Sequence, residues 1–168
     1  MEVCRFSGIF TETGSQEDKI QVRAADYVFQ YLKECGVGHV FLLSGGGIMY
    51  LCDALGHSGL EYVCCHHEQS AAIAAQAYGM YDDSLGVCLV TTGPGGTNAI
   101  TGVMGGYLDS VPMFVISGQV KRETTLWSVP DLKLRQLGDQ EFPIVDAVSC
   151  MTKYAVMITE PNDIYYHL

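Results

Sequence analysis

The sequence is poor in basic residues. It holds 9 Lys and Arg against 19 Asp and Glu, which gives a formal net charge of −10. A nucleic-acid backbone is bound through a basic face, so we expect no nucleic-acid partner. No apolar run has the length of a membrane span and no signal peptide is recognisable. We therefore expect no membrane partner and a cytoplasmic location.

The C-x-x-C spacing of zinc and redox sites is also missing. The seven cysteines are scattered, mostly in apolar runs, and their odd number is typical of reduced, buried thiols. Cys64 or Cys65 beside His66 is a candidate thiol nucleophile. Because both fall in an apolar segment, we expect a buried strand with structural thiols instead. No G-x-S-x-G nucleophile motif occurs.

The length of 168 residues and the hydrophobic fraction of 48% are sufficient for one domain with its own core. Residues 1–19 show no clear hydrophobic periodicity and end in a run of polar residues. We interpret them as an N-terminal extension, with a tag or a misassigned start as the alternative. Residues 20–168 form the predicted domain.

Apolar strands alternate with amphipathic helices from residue 20 onward. The predicted strands are residues 39–43, 61–65, 86–91, 111–117 and 153–158. Helices are predicted at residues 22–35, 48–55, 67–80, from 98 to 108, 141–148 and 161–168. This alternation predicts a three-layer α/β/α fold with a mostly parallel central sheet. No strand follows the last helix, so we expect the final strand to be missing and the chain to be truncated at its carboxyl end.

Glu68 opens the Ala-rich helix of the β-α-β unit at residues 60–98. Ligands of open α/β sheets bind at the carboxyl ends of the strands, so Glu68 and the turn at Gly93 should share one edge. Burial disfavours a charged carboxylate, whereas a helix N-terminus favours the anion. A carboxyl group under these opposing influences is suited to general acid–base catalysis. The alternative is that Glu68 caps its own helix.

Three further motifs have weaker interpretations. The run from His66 to Glu68 lacks the i, i+4 histidine spacing of a zinc site, so we predict no metal ligands. The glycine turn from Gly93 to Thr97 could cradle phosphate at a helix N-terminus, which leaves a dinucleotide-binding module as an alternative. The turn from Ser44 to Gly47 is either a ligand contact or a simple strand-to-helix connection.

Residues 121–140 are predicted to form a long functional loop.

Five ordered blocks resemble one protein family. They read F-L-L-S-G-G-G at residues 41–47, H-E-Q-S-A-A at 67–72, T-G-P-G-G-T-N at 92–98, L-D-S-V-P with S-G-Q-V at 108–120, and Q-E with T-K at 140–153. Together they resemble the N-terminal, pyrimidine-binding domain of thiamine diphosphate enzymes, in the acetolactate synthase-like branch.

The resemblance implies a catalytic role for Glu68. In the family this glutamate bonds N1′ of the cofactor's aminopyrimidine and promotes loss of the C2 proton, and a 2-oxo acid is then decarboxylated and joined to an acceptor. Gln119 and Gln140 correspond to glutamines at the substrate rim. The cofactor-binding residues implied are Ser44, Gly45, Gly46, Glu68, Thr92, Gly93, Pro94, Asn98 and Gln119.

The same resemblance implies parts that this chain does not carry. In the family a separate domain holds the diphosphate and Mg²⁺, some members carry FAD, and the site forms between subunits of a homo-oligomer. We therefore expect the isolated chain to be inactive, as a truncated enzyme or as one subunit of a split enzyme. A regulatory module is the alternative. Relatives have a proline where Ser44 stands and often a phenylalanine where Asp139 stands. An acidic Asp139 would change the acceptor pocket, so an enzyme of this family that acts on another 2-oxo acid is an alternative.

Overall fold

The computed structural model of the protein describes residues 22–81 and 84–168. The predicted extension at residues 1–19 lies outside these ranges, and the domain bounds of 20–168 stay a prediction. The helices are α1 (Ala24–Glu34), α2 (Met49–Ser58), α3 (Glu68–Tyr81), α4 (Pro94–Leu108), α5 (Ile144–Val148) and α6 (Ile164–His167). The strands are β1 (His39–Leu42), β2 (Glu61–Cys64), β3 (Gly86–Val90) and β4 (Met113–Ser117). None of the described helices combines the length and apolarity that a membrane span requires.

The four strands of the described residues form one sheet in the order β2-β1-β3-β4, and every neighbouring pair is parallel. Leu42 of β1 is in register with Cys64 on one side and with Leu89 on the other. All four strands therefore end at the same edge of the sheet. We call this edge the rim and define it as residues 43–47, 65–68, 91–98 and 118–119.

The central strand β3 separates two apolar layers. Val87 and Leu89 belong to a core cluster with Phe29 and Leu32 of α1 and Leu55 of α2. Cys88 and Val90, on the opposite face of the same strand, belong to a second cluster built mainly from alanines of α3 and α4. Each large apolar side chain buried in this way contributes about 1.5–3 kcal/mol. The predicted three-layer α/β/α fold with a parallel sheet is confirmed.

Helices α3 and α4 approach each other closely because their facing residues are small. Ala71, Ala72 and Ala75 of α3 are completely buried. A Cβ atom on Gly102 of α4 would lie 2.6 Å from the Cβ atom of Ala72. Glycine is a poor helix former. Its presence at position 102 is explained by the close approach of the two helix backbones.

Two predictions about secondary structure were wrong. Residues 153–158 do not pair with the described sheet, and Tyr154 is 60% exposed there. A strand exists only through its neighbours, and an apolar pattern cannot supply one. Strand β2 was predicted to be buried, yet it lies at one edge of the sheet and all four of its residues are exposed.

Alanine at two helical glycines should change stability in opposite directions. Gly102→Ala should lower the free energy of unfolding by about 1–3 kcal/mol, because the added Cβ overpacks the contact with Ala72. A Cβ on Gly56 of α2 would meet no atom within 4 Å, so Gly56→Ala should raise the free energy of unfolding by up to about 1 kcal/mol. Urea denaturation measures both changes. Stabilisation by Gly102→Ala would contradict the close helix contact.

Candidate cofactor site at the carboxyl ends of the strands

The rim brings together most of the predicted site residues. The turn at Ser44 follows β1, Glu68 is the first residue of α3, and Thr92 and Gly93 connect β3 to α4. Pro94 and Asn98 lie in the first turns of α4, and Gln119 follows β4. Chain segments far apart in sequence converge here because parallel strands end together.

Glu68 is the buried acid of this rim. Its residue is 8% exposed, and its Oε2 accepts a hydrogen bond of 3.0 Å from Nδ2 of Asn98. No other described residue donates a hydrogen bond to the carboxylate. The buried unpartnered side-chain atoms of the described residues do not include Oε1, so this oxygen keeps access to solvent. One oxygen is held, and the other is available to a ligand.

His67, and not Glu68, caps helix α3. The Nδ1 atom of His67 accepts the backbone N–H of Gln69 at 3.1 Å, and its carbonyl accepts the N–H of Ala71. Glu68 accepts no hydrogen bond from its own helix. The capping alternative for Glu68 is therefore wrong, and its carboxylate is left for another purpose.

The first turn of α4 also faces the carboxylate. A Cβ atom on Gly95 would lie 3.5 Å from Oε1 of Glu68. The positive end of the helix dipole thus stabilises an anion that is already part of the protein. A phosphate group at the same helix N-terminus would face Glu68 at close range, which argues against the dinucleotide alternative.

The turn at Gly93 is shaped by a second, more distant segment. Gly93 has φ +53°, and a Cβ atom there would lie 2.0 Å from the carbonyl oxygen of Gln140. Gln140 itself has φ +59°. Gln140, which was predicted to lie near the substrate, is therefore in backbone contact with the turn that leads to Pro94.

The turn after β1 packs against the end of β3. The backbone N–H of Gly47 donates to Oγ1 of Thr91 at 3.1 Å. Thr92 is 4% exposed, and its hydroxyl is the only fully buried side-chain oxygen or nitrogen of residues 22–81 and 84–168 without a hydrogen-bond partner. Gly46 is exposed, and a Cβ there would meet no atom within 4 Å.

These features fit a small polar ligand. Such a ligand requires a polar group that is only partly satisfied by the protein, an uncrowded backbone and apolar surroundings. Glu68 offers a carboxylate oxygen and Gly46 leaves open space, whereas the hydroxyl of Thr92 is covered by the turn at Gly47.

Two of the predicted site residues show weaker evidence of a ligand contact. The side-chain Oε1 of Gln119 accepts the backbone N–H of Val120 at 2.9 Å, so its amide oxygen is used locally. Ser44 is exposed. Among the described residues, no group of three or more His, Cys, Asp or Glu side chains is arranged to hold a metal ion.

Two cysteines near the rim, Cys65 and Cys88, are unsuited to nucleophilic catalysis. Burial raises the pKa of the Cys65 thiol, and burial raises the pKa of Cys88 to about 12. A thiol of this kind is protonated and unreactive at neutral pH. The expectation that the cysteines are buried was right only for Cys88 among those described, because Cys64 and Cys150 are exposed and the others are half-buried.

Residues 22–155 match the family described as thiamine pyrophosphate enzyme, N-terminal TPP binding domain. The chain belongs to this family. The resemblance inferred from the five sequence blocks is thereby confirmed, and thiamine diphosphate is the cofactor that this domain type binds.

Similar proteins include large subunits of acetolactate synthase. The chain is 46% identical over 99 residues to acetolactate synthase isozyme 2 large subunit of Escherichia coli (strain K12), covering 59% of the chain and 18% of the relative. It is 38% identical over 138 residues to the large subunit of Lactococcus lactis subsp. lactis (strain IL1403), covering 82% and 22%. It is 36% identical over 148 residues to chloroplastic acetolactate synthase 2 of Zea mays, covering 84% and 21%. The chain thus spans between 18% and 22% of the length of these relatives.

Substitutions at Asn98 test the contact with Glu68. Asn98→Ala should lower the free energy of unfolding by about 1.5–3 kcal/mol, because it removes a hydrogen bond to a charged group. Asn98→Asp should cost more at neutral pH, because two carboxylates then face each other and the pKa of one is raised. The carboxyl group whose pKa is raised in the folded state destabilises the fold when it is ionised. The extra loss of stability is therefore present at high pH and disappears as the pH falls through the raised pKa.

Chemical denaturation at neutral and acidic pH measures these effects. Thr101→Asp is the matched control, since Thr101 is an exposed residue of the same helix. A pH-independent loss for Asn98→Asp, equal to that of the control, would exclude a close contact between residues 98 and 68.

Proposed function

We propose that this chain is the pyrimidine-binding half of a thiamine diphosphate enzyme that decarboxylates a 2-oxo acid and joins the product to an acceptor. The observation that carries this function is Glu68, a nearly buried carboxylate with one oxygen held by Asn98 and the other open. The relatives named acetolactate synthase support the reaction class.

Glu68 would hold a proton at N1′ of the aminopyrimidine ring. The cofactor, when bound, supplies the electron sink for decarboxylation. A carboxylate sheltered from water makes a stronger hydrogen bond than an exposed one, because the local dielectric constant is low. The hydrogen bond from Asn98 fixes Oε2, so Oε1 is the atom that would face the ring.

The glycine turns would position the ring next to Glu68. Gly46 leaves the backbone uncrowded on one side, Gly45 packs against Thr91 beside it, and Gly93 and Pro94 border the other side. Thr92 would contribute through the position of its backbone, because its hydroxyl is buried beneath the turn at Gly47. Ser44, Gln119 and Gln140 complete the proposed binding and substrate residues at the edge of this space.

The remainder of the site belongs to the same proposal. We assign the diphosphate and Mg²⁺ to a further domain of the complete protein, with FAD as an additional cofactor there, and we expect the isolated chain to be inactive. A cytoplasmic location is consistent with the free thiols of the described cysteines.

Exposed apolar side chains support a homo-oligomer. Helices α3 and α4 expose several large ones, which a partner surface would cover. They are Ile73, Met80, Met104, Tyr107 and Leu108.

Exchange of the cofactor's C2 proton tests the role of Glu68. Glu68→Gln in the complete protein should retain the fold and cofactor binding, because glutamine has the same shape and still accepts the hydrogen bond from Asn98. The rate of exchange for deuterium at C2 should fall by about 10²–10⁴-fold, as expected for loss of a general acid–base group.

The control is Glu61→Gln, which removes the same charge from an exposed residue of β2. Proton NMR after rapid acid quenching measures the exchange. An unchanged exchange rate in Glu68→Gln would exclude the proposed role.

A further inference from the structure

The connection between β4 and α5 is long and has little regular structure. Its only described helical segments are short 3₁₀ turns at Arg122–Thr124 and Leu126–Ser128. Between residues 119 and 141 only Thr125 and Gly138 are buried. Apolar packing therefore contributes little to its conformation, and polar contacts have to hold it.

Glu141 supplies three of those contacts through one carboxylate. Its Oε1 accepts the backbone N–H of Leu126 at 2.6 Å. Its Oε2 accepts the backbone N–H groups of Leu137 and Gly138 at 3.1 Å and 3.2 Å. Hydrogen bonds to a charged acceptor are roughly twice as strong as neutral ones. Glu141 thus joins the outgoing and the returning arm of the connection.

The arms also touch where these bonds form. A Cβ atom on Gly138 would lie 2.5 Å from Cγ2 of Val120 and 2.7 Å from the carbonyl oxygen of Thr124. Only glycine allows the returning arm to come this close. The N–H groups of Leu137 and Gly138 are thereby presented to the carboxylate of Glu141.

Gln140 lies between these bonds and the cofactor turn. It has φ +59°, an unfavourable conformation for a residue with a side chain. Such a conformation persists where surrounding contacts impose it. Its carbonyl oxygen occupies the space that a Cβ of Gly93 would need, 2.0 Å away. The conformation of Gln140 is therefore coupled to the position of the Gly93 turn.

We propose that Glu141 is a positioning residue of the cofactor site. It closes residues 119–141 into one hydrogen-bonded unit, which holds Gln140 against Gly93 and so fixes the turn that leads to Pro94 and Asn98. The coupling between Glu141 and the turn involves only residues of this chain and does not depend on a cofactor. Its consequence for cofactor binding rests on the proposed function.

A second acidic residue of the same segment provides the comparison. Glu123 is exposed, and its side chain makes no hydrogen bond to the described residues. The Arg122–Glu160 ion pair also anchors the segment, but both side chains are 50% exposed. An exposed pair of this kind contributes little to stability. The structure therefore singles out Glu141.

Hydrogen–deuterium exchange of the complete protein, followed by mass spectrometry of its peptides, tests the coupling. Glu141→Ala should raise exchange roughly tenfold or more in residues 119–141, since hydrogen bonds to a charged acceptor are lost. It should also raise exchange in residues 91–98, while α1 (Ala24–Glu34) stays unchanged. Glu123→Ala should change neither segment beyond its own exposed turn.

The outcomes separate positioning from a general structural role. Faster exchange in 119–141 with no change in 91–98 would overturn the coupling, and so would faster exchange throughout the protein including α1. Glu141→Gln keeps one acceptor oxygen and should give an intermediate effect at 91–98. This variant decides the question if Glu141→Ala does not fold.

Thiamine diphosphate binding provides the second measurement. Titration of the complete protein should show a thiamine diphosphate affinity at least several-fold weaker for Glu141→Ala than for Glu123→Ala. Unchanged affinity together with faster exchange at 91–98 would overturn the role in cofactor binding. A failure of the proposed function would appear differently, as absence of cofactor binding in the unsubstituted protein.

Discussion

The close contact between α3 and α4 determines the geometry of the site. Glu68 begins one helix and Asn98 lies in the other, so their hydrogen bond depends on how near the two axes run. Gly102 and the buried alanines of α3 allow that approach. Larger residues would separate the helices, move Asn98 away from Oε2 and leave the carboxylate without its partner. The packing of small side chains is thus directly linked to the chemistry of the rim.

The burial of the Glu68 carboxylate lowers the stability of the fold. A carboxylate removed from water loses solvation that a single hydrogen bond does not replace, and buried charges are normally fully paired. Here Asn98 and the N-terminus of α4 provide partial compensation, while Oε1 has no partner among the described residues. His67 caps α3 instead, which frees Glu68 from a local structural task. This combination is expected of a group that is kept for a ligand.

The sheet and its rim could be predicted from the sequence because their signals are local. Apolar periodicity identified β1, β3 and β4, and the strand-to-helix turns located the site at the carboxyl ends. The exposure of β2 could not be foreseen, since an edge strand and a central strand can have the same apolar composition. The strand predicted at residues 153–158 failed for a related reason, because pairing needs a neighbour. The contacts of Glu141 join residues up to 15 positions apart, and no local pattern marks them. His67 was missed as a cap because histidine is not a typical N-cap residue.

The proposed site requires Oε1 of Glu68 to face the aminopyrimidine ring. A crystal structure of the complete protein with thiamine diphosphate tests it most directly. We expect Oε1 within hydrogen-bonding distance of N1′, about 2.5–3.2 Å, with Asn98 still bonded to Oε2. A bound cofactor whose ring nitrogen lies beyond hydrogen-bonding distance of Glu68 would contradict this requirement.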